Sequence, residues 1–477
     1  MDAALRNEAT LLLRRMPFSV EMPAGTGKTQ LIAAMAGVAA HDGSASLILT
    51  HTNAGVAALR KRLKDFGVPQ RMVHVDTIAS WAFELVRHYP DLAGIKIAPV
   101  PDWTQTPEYV SGAANVAQAR AINRMHSASF AYLFVDEYQD CNLNQHDLIL
   151  EIASAIPLAA VFGDRLQGIF DFAGETLVDW DEHVFPSYPL LDREHTAWRW
   201  AGHNAELGQW LLDVRSQLVS GATLDLSQTS VPGLQWLASS HQAVADAAYG
   251  FTTFEESVLI LNQWRSDNAS TAGRLGGTYA VMEDLNGRFM HESLATLESS
   301  DPDGYALWLA YFAKSCFSGF GEINQPILRR LQRGEGLEGL SRRGLESTLA
   351  ALEALATKPS LRNLVTAMRA IESAREGRLY CIEAWRDTLA AIEAVVLNPG
   401  ENMRANLSMI RDRLRYTGRR RQQRIVSRTL LVKGLEYDHA ILCDADNIGS
   451  VRNFYVAITR PRKTLTILSR SPTIRLR

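Results

Sequence analysis

The chain predicts an α/β protein of two domains, each built on a parallel sheet, with a short insertion in the first and a larger helical insertion in the second. Three observations carry this. The 477 residues are too many for one hydrophobic core. Short apolar runs alternate with helical stretches through the first half, the pattern of strands covered on both faces. Similar runs stop near residue 284 and resume near 426, and helix-period stripes fill the gap.

Taken in order, residues 18–22 form a short strand, followed by a Gly-rich turn and a helix carrying Leu31, Ile32, Met35 and Val38. Runs at 47–50, 132–135 and 159–162 are further buried strands, and others lie at 257–261, 279–282, 440–443 and 465–468. From about 303 to 397 the pattern is helical. Leu345, Leu349, Leu352 and Leu355 share one face, Leu361, Leu364, Val365, Met368 and Ile371 a second, and Trp385, Leu389, Ile392 and Val396 a third. These stripes are read as the core of a small helical subdomain, not as a partner surface. The expected domains are 1–230 with a short insertion at 82–129, then 231–284 joined to 426–477, with 285–425 as the helical insertion.

Composition narrows the class. With 47% hydrophobic and 21% charged residues and a net charge of −3, the chain is no uniformly basic binder, so any nucleic-acid contact needs a local basic groove. Cys141, Cys316, Cys381 and Cys443 form no C-x-x-C pair, which gives neither a zinc site nor a disulfide framework and suits a reducing compartment. Leu11, Leu12 and Leu13 make only a short apolar run before Arg14 and Arg15, unlike a secretory signal. No stretch approaches the roughly 18 apolar residues of a membrane span. A soluble cytoplasmic protein with no membrane attachment is expected.

The turn Pro23-Ala24-Gly25-Thr26-Gly27-Lys28-Thr29 sits between a strand and a helix, where backbone N–H groups and a helix N-terminus face phosphates. Lys28 is placed to reach the β and γ phosphates and the Thr29 hydroxyl to bind Mg2+. Met22 replaces the first glycine of the strict pattern G-x-x-x-x-G-K-[ST], so the turn alone does not carry the reading. The strand ending in Asp136 and Glu137 does: adjacent carboxylates at a strand's C-terminal edge suit magnesium-dependent hydrolysis. Asp136 would hold the metal and Glu137 act as general base for water. The expected substrate is a nucleoside triphosphate, taken as ATP.

With Asp136-Glu137-Tyr138-Gln139-Asp140 the chain resembles superfamily 1 helicases of the UvrD/Rep type, and further elements follow the family's order. Thr50-His51-Thr52-Asn53-Ala54 is similar to its strand-contacting element, and Val75-Asp76-Thr77-Ile78 with Ser80 to the next. Gly163-Asp164-Arg165-Leu166-Gln167-Gly168-Ile169-Phe170 resembles the element whose glutamine, here Gln167, senses the γ-phosphate. Arg199, followed by Asn204, resembles an arginine that reaches that phosphate. Lys433-Gly434-Leu435-Glu436 and Val456-Ala457-Ile458-Thr459-Arg460 complete the series. The resemblance implies two RecA-like domains clamping ATP. Lys28, Asp136, Glu137 and Gln167 would lie on the first, Arg199 near the junction, and Arg460 and Glu436 on the second. It also implies Thr52, Asn53 and Thr77 as DNA contacts.

The chain departs from the family in several places. The short N-terminus offers no adenine-reading glutamine, so ATP over GTP is inferred and not read. Arg428 and Leu430 stand where a threonine and a histidine are usual. Phe172 stands where relatives carry a stacking tryptophan; it is read as a base platform, with core packing as the alternative. Trp81 and Phe83 are read as packing residues. Insertion 82–129 is too small for the usual duplex-engaging subdomain. The second insertion ends in an arginine-rich stretch, in which Arg419, Arg420, Arg421 and Arg424 are read as a phosphate-contacting loop and Arg411, Arg413 and Arg415 as a solvated helix face.

The expected function is therefore an ATP-dependent translocase or helicase on single-stranded or partly duplex DNA, with 3′-to-5′ polarity implied by resemblance. A second expectation is a DNA-stimulated ATPase acting as a regulatory sensor, without processive unwinding. The compact length also resembles short UvrD-like chains that stand beside a nuclease subunit in antiphage systems such as the Gabija type.

Overall fold

The computed structural model describes residues 1–97, 101–169, 176–253, 255–284, 286–340, 342–417 and 422–475. The chain divides into two compact units. The first comprises Met1–Gly233, Gly449–Lys463 and Arg475–Arg477; the second comprises Leu234–Ile448 and Thr464–Ile474. This division moves Gly449–Lys463, assigned by sequence to the second domain, into the first unit.

The first unit holds a five-stranded sheet of β1 (Phe18–Glu21), β2 (Ser46–Thr50), β3 (Val73–Thr77), β4 (Tyr132–Val135) and β5 (Leu158–Gly163), in the order β1-β5-β4-β2-β3. The neighbours run parallel throughout. Its two-residue period is explicit in the packing. Leu47, Leu49, Leu133, Val135, Ala159 and Val161 enter one core, while Ile48, Phe134, Ala160 and Phe162 enter the other. Both faces are thus apolar, which is why these strands read as continuous hydrophobic runs. Each large side chain fully buried this way contributes about 1.5–3 kcal/mol.

On one face lies the helix Lys28–His41, through Leu31, Ile32 and Met35. On the other lie Ile78–His88, Thr106–Gln118 and Leu143–Ala155. The 82–129 insertion therefore adds Tyr109, Val116 and Ile122 to the core of the first sheet. Trp81 packs edge-on to His74 at 5.0 Å and Phe83 to Tyr109 at 5.2 Å, as packing residues should.

The second unit holds a six-stranded sheet of β6 (Leu234–Ala238), β7 (Val258–Leu261), β8 (Ala280–Val281), β9 (Arg424–Ser427), β10 (Tyr437–Leu442) and β11 (Pro461–Ser469), in the order β6-β11-β10-β7-β9-β8. β6 with β11, β10 with β7, and β9 with both β7 and β8 are parallel. The helices between β8 and β9 do not build a separate core. Val258, Ile260, Val426 and Ile441 of the sheet belong to one buried cluster with Leu309, Phe312, Leu352, Met368 and Trp385 of the insertion. The leucine stripes are that core: Leu345, Leu349, Leu352 and Leu355 are all buried. All four cysteines are free and buried. Among the described residues no helix is long and apolar enough to cross a membrane.

Candidate active site

The first sheet brings its chemistry to one edge. Thr50 pairs with Thr77, Leu49 with Val135, Val135 with Val161 and Glu21 with Gly163, so the residues that follow all five strands leave at the same C-terminal edge. In parallel α/β sheets this is where ligands bind. The Gly-rich turn, Thr52-Asn53, Thr77, Asp136-Glu137 and Asp164-Gln167 all lie there.

In the turn, Gly25 has φ 72° and Gly27 φ 89°, the left-handed region that favours glycine. Gly27 caps the helix Lys28–His41 and offers no side-chain cap, so the first-turn N–H groups are left for an anion. Thr26 Oγ1 donates to the Pro23 carbonyl at 2.7 Å. The Ala24 N–H donates to the Tyr455 hydroxyl at 3.3 Å. A second reason for glycine is space. A Cβ on Gly25 would lie 2.5 Å from the Trp200 ring, and one on Gly27 3.3 Å from Trp198. Residues 198–200 lie against the turn, and the Arg199 N–H donates to the Gly25 carbonyl at 3.0 Å.

Lys28 and the two carboxylates form the centre. Lys28 Nζ is 2.8 Å from Glu137 Oε1 and 3.6 Å from Asp136 Oδ1. Burial works against the ammonium, but Glu137 and Asp136 outweigh it and hold Lys28 above its ordinary range. Burial pushes the Asp136 carboxyl up to about 6, with Lys28 pulling it down and Glu137 adding to the rise. Glu137 has φ 57°, a left-handed backbone that costs a residue with a Cβ about 1–2 kcal/mol. Such strain gathers at functional sites. The Gln139 side-chain amide donates to Glu137 Oε2, so that carboxylate is held between Gln139 and Lys28. Thr29, in the first helical turn, and Asp136 supply a hydroxyl and a carboxylate. These hard oxygen donors suit a magnesium ion that takes its remaining ligands from phosphates and water. Among the described residues no cluster of three or more His, Cys, Asp or Glu side chains could hold a metal without such help.

Gln167 is buried and its Nε2 donates to Asp164 Oδ2 at 3.0 Å. Arg199 donates to the Thr459 carbonyl at 2.6 Å. Arg460 is fully buried, with Nε on the Val456 carbonyl at 2.7 Å and a terminal nitrogen on Thr459 Oγ1 at 2.8 Å. By sequence Arg460 is assigned to the second domain. Its segment packs in the first unit, where Tyr455 meets Ala24, Arg452 reaches the Gly168 carbonyl and Trp200 Nε1 donates to the Pro461 carbonyl at 2.7 Å. Glu436 is exposed and lies in the second unit, directly before β10.

Of the expected DNA contacts, Thr52 is the exposed N-cap of the helix Asn53–Asp65 and accepts the Gly55 N–H at 3.0 Å. Thr77 is buried, caps the helix Ile78–His88 and donates to Ser80 Oγ at 2.8 Å, so its hydroxyl is engaged. Arg424 is a correction. It is the first residue of β9, buried, donates to the Phe251 carbonyl and lies over the Tyr279 ring at 5.6 Å. Its charge serves the interior of the second unit, not a phosphate. Arg411 is likewise buried, paired with Glu383 at 2.9 Å and Asp387 at 2.8 Å. Phe172, Arg419, Arg420 and Arg421 lie outside the described residues.

Sequence reasoning passed over Glu21, Gln139, Arg215 and Tyr455. Gln139 stands in the pattern around Asp136 and Glu137 without a role assigned to it, whereas Glu21, Arg215 and Tyr455 join the site through partners far along the chain, such as Ala24 for Tyr455 or Glu21 for Arg215. No local pattern announces such a pairing.

Residues 113–177, a segment that includes Asp136, Glu137 and Gln167, match the family model of the UvrD/REP helicase N-terminal domain. Among solved structures, the Pif1 helicase from Candida albicans aligns with a TM-score of 0.33 at 13% identity, over 58% of this chain and 54% of that one. The alignment thus spans about half the length of that relative. No curated relative matches.

Proposed function

This UvrD-like chain is, we propose, an ATP-dependent motor on single-stranded DNA, hydrolysing ATP at the C-terminal edge of the first sheet. One observation carries the reading: an uncapped helix N-terminus presents Lys28 directly to the carboxylate pair Asp136 and Glu137. Triphosphate oxygens draw Lys28 off Glu137, which leaves that carboxylate, still held by Gln139, to take a proton from the attacking water at Oε1. Thr29 and Asp136 would hold magnesium, which supplies charge neutralisation on the phosphates when bound. Gln167, Arg199 and Arg460 are the proposed groups that respond to the γ-phosphate. Movement 3′ to 5′ is part of the proposal by resemblance.

The test is the ATPase rate of the purified chain with single-stranded DNA, duplex DNA, RNA and no nucleic acid. Stimulation by a single strand, abolished in Lys28→Ala, is expected. Hydrolysis that is the same with and without nucleic acid sinks the motor.

A second reading is supported by the 82–129 insertion, whose Tyr109, Val116 and Ile122 are spent in the core of the first sheet. A chain so reduced suits a DNA-stimulated ATPase acting as sensor, or as partner of a nuclease subunit in phage defence. Stimulated hydrolysis without strand displacement selects it.

A further inference from the structure

Beside the phosphate site the first unit buries a charged circuit that the hydrolysis scheme above leaves unused. Glu21 ends β1 just before the Gly-rich turn, and Asp164 follows β5, its neighbour in the sheet. Arg215, on the helix Ala205–Val219, reaches both. Its Nε and a terminal nitrogen donate to Asp164 Oδ1 at 3.3 and 3.0 Å, and the same terminal nitrogen donates to Glu21. Arg165 holds Glu21 from the other side at 3.0 Å.

Asp164 is fully buried and is the hub. Besides Arg215 it accepts the Leu166 N–H at 3.2 Å and Gln167 Nε2 at 3.0 Å, and it meets the Tyr455 hydroxyl that accepts the Ala24 N–H. Its own N–H donates to Gln139 Oε1 at 3.0 Å, and Gln139 donates to Glu137. The Gly-rich turn, the proposed base and the proposed γ-phosphate glutamine are therefore each no more than one residue removed from Asp164.

A buried ion pair is weak evidence for stability, since apolar side chains of like volume hold a helix on a sheet as well. What a guanidinium between two carboxylates supplies is orientation, because its planar fork fixes the carboxylate it grips. We infer that Arg215 is a positioning residue for hydrolysis: gripping the Asp164 carboxylate against Glu21, it holds the group that aims Gln167. The inference rests on the nucleotide-hydrolysing reading of this site.

The experiment uses the full chain and compares wild type, Arg215→Lys and Arg215→Gln for kcat and KM of ATP, with and without an oligothymidylate strand. Misplacing a reacting constellation by about 1 Å costs on the order of a hundredfold. Arg215→Gln should lower the DNA-stimulated kcat by about tenfold or more, while KM for ATP moves by less than about threefold because Lys28 keeps its partners. Arg215→Lys keeps the charge but loses the fork, and should recover part of the loss. If Arg215→Gln does not fold, Arg215→Lys decides, with a fall in stimulated kcat of about threefold or more at unchanged KM expected. Folded variants with wild-type kcat, or with a fall only in step with the melting midpoint, overturn the inference and leave the site reading intact. A wild-type chain that hydrolyses no ATP overturns both.

Discussion

Replacing Gly25 by alanine tests whether the Gly-rich turn is shaped by its neighbours or only by its own backbone. Two costs are expected. A side chain at φ 72° pays about 1–2 kcal/mol for the left-handed backbone. The new Cβ would also stand 2.5 Å from the Trp200 ring and 2.8 Å from Arg199 Cβ. Trp200 cannot give way easily, because it is 1% exposed and its indole N–H is bound to Pro461. Overpacking of this kind adds about 1–3 kcal/mol. Gly43 is the control, since φ is 80° there and nothing lies within 4 Å of its would-be Cβ. Gly43→Ala should show the backbone cost alone. For a unit of this size about 1 kcal/mol moves the midpoint by roughly 2–4 °C. At one fixed scan rate, Gly25→Ala should therefore lower the apparent midpoint by about 1.5 to 4 times as much as Gly43→Ala. It should also raise KM for ATP, which Gly43→Ala should not. Equal midpoint losses in the two variants refute the packing of Trp200 on the turn.

Three further outcomes are expected. Arg424→Ala leaves the Phe251 carbonyl short of a donor, which costs about 1–3 kcal/mol; thermal melting should show this loss, while the salt dependence of DNA binding stays that of wild type. Joint replacement of Arg419, Arg420 and Arg421 by alanine should lower single-strand affinity, with the slope of log K against log salt falling by about 0.7 for each phosphate no longer neutralised; an unchanged slope removes them from the interface. Burial raises the Glu21 carboxyl, but Arg165 and Arg215 outweigh it and hold it below its ordinary 4.5. The unfolded chain then takes up the proton first as pH falls, so the stabilisation is whole above about 4.5 and drains away through the lower folded value. The midpoint gap between wild type and Glu21→Gln should accordingly close below about pH 4.5, and a gap constant to about pH 3 argues against the pairing.

The elements with both faces buried were legible. The run at 132–135 is β4 to the residue, and 47–50 and 159–162 differ from β2 and β5 by a residue or two at the ends. Two edge strands with polar residues were not. Val73–Thr77 carries His74 and Asp76 at a sheet edge, and Leu234–Ala238 is an edge strand of which no residue is fully buried. Arg424–Ser427 was hidden for the opposite reason. It lies inside the sheet, but an arginine opens it, and only Phe251 and Tyr279, distant in sequence, show why that charge is tolerated there. In the site, Lys28, Asp136, Glu137 and Gln167 stood in local patterns and meet at one edge. Glu21, Arg215 and Tyr455 are held by partners up to 431 residues away and leave no mark on their own neighbourhoods.

The order in which the chain is strung through its two units has a consequence for its synthesis. Residues 449–463 belong to the first unit, and β11 is inserted between β6 and β10 of the second. A nascent chain that stops short of residue 449 lacks Tyr455 and Arg460 from one unit and an interior strand from the other. Neither unit can close while the ribosome is still reading the middle of the message. The partly built second sheet, with β6 and β10 each missing a neighbour, must be kept from pairing with other chains until β11 emerges.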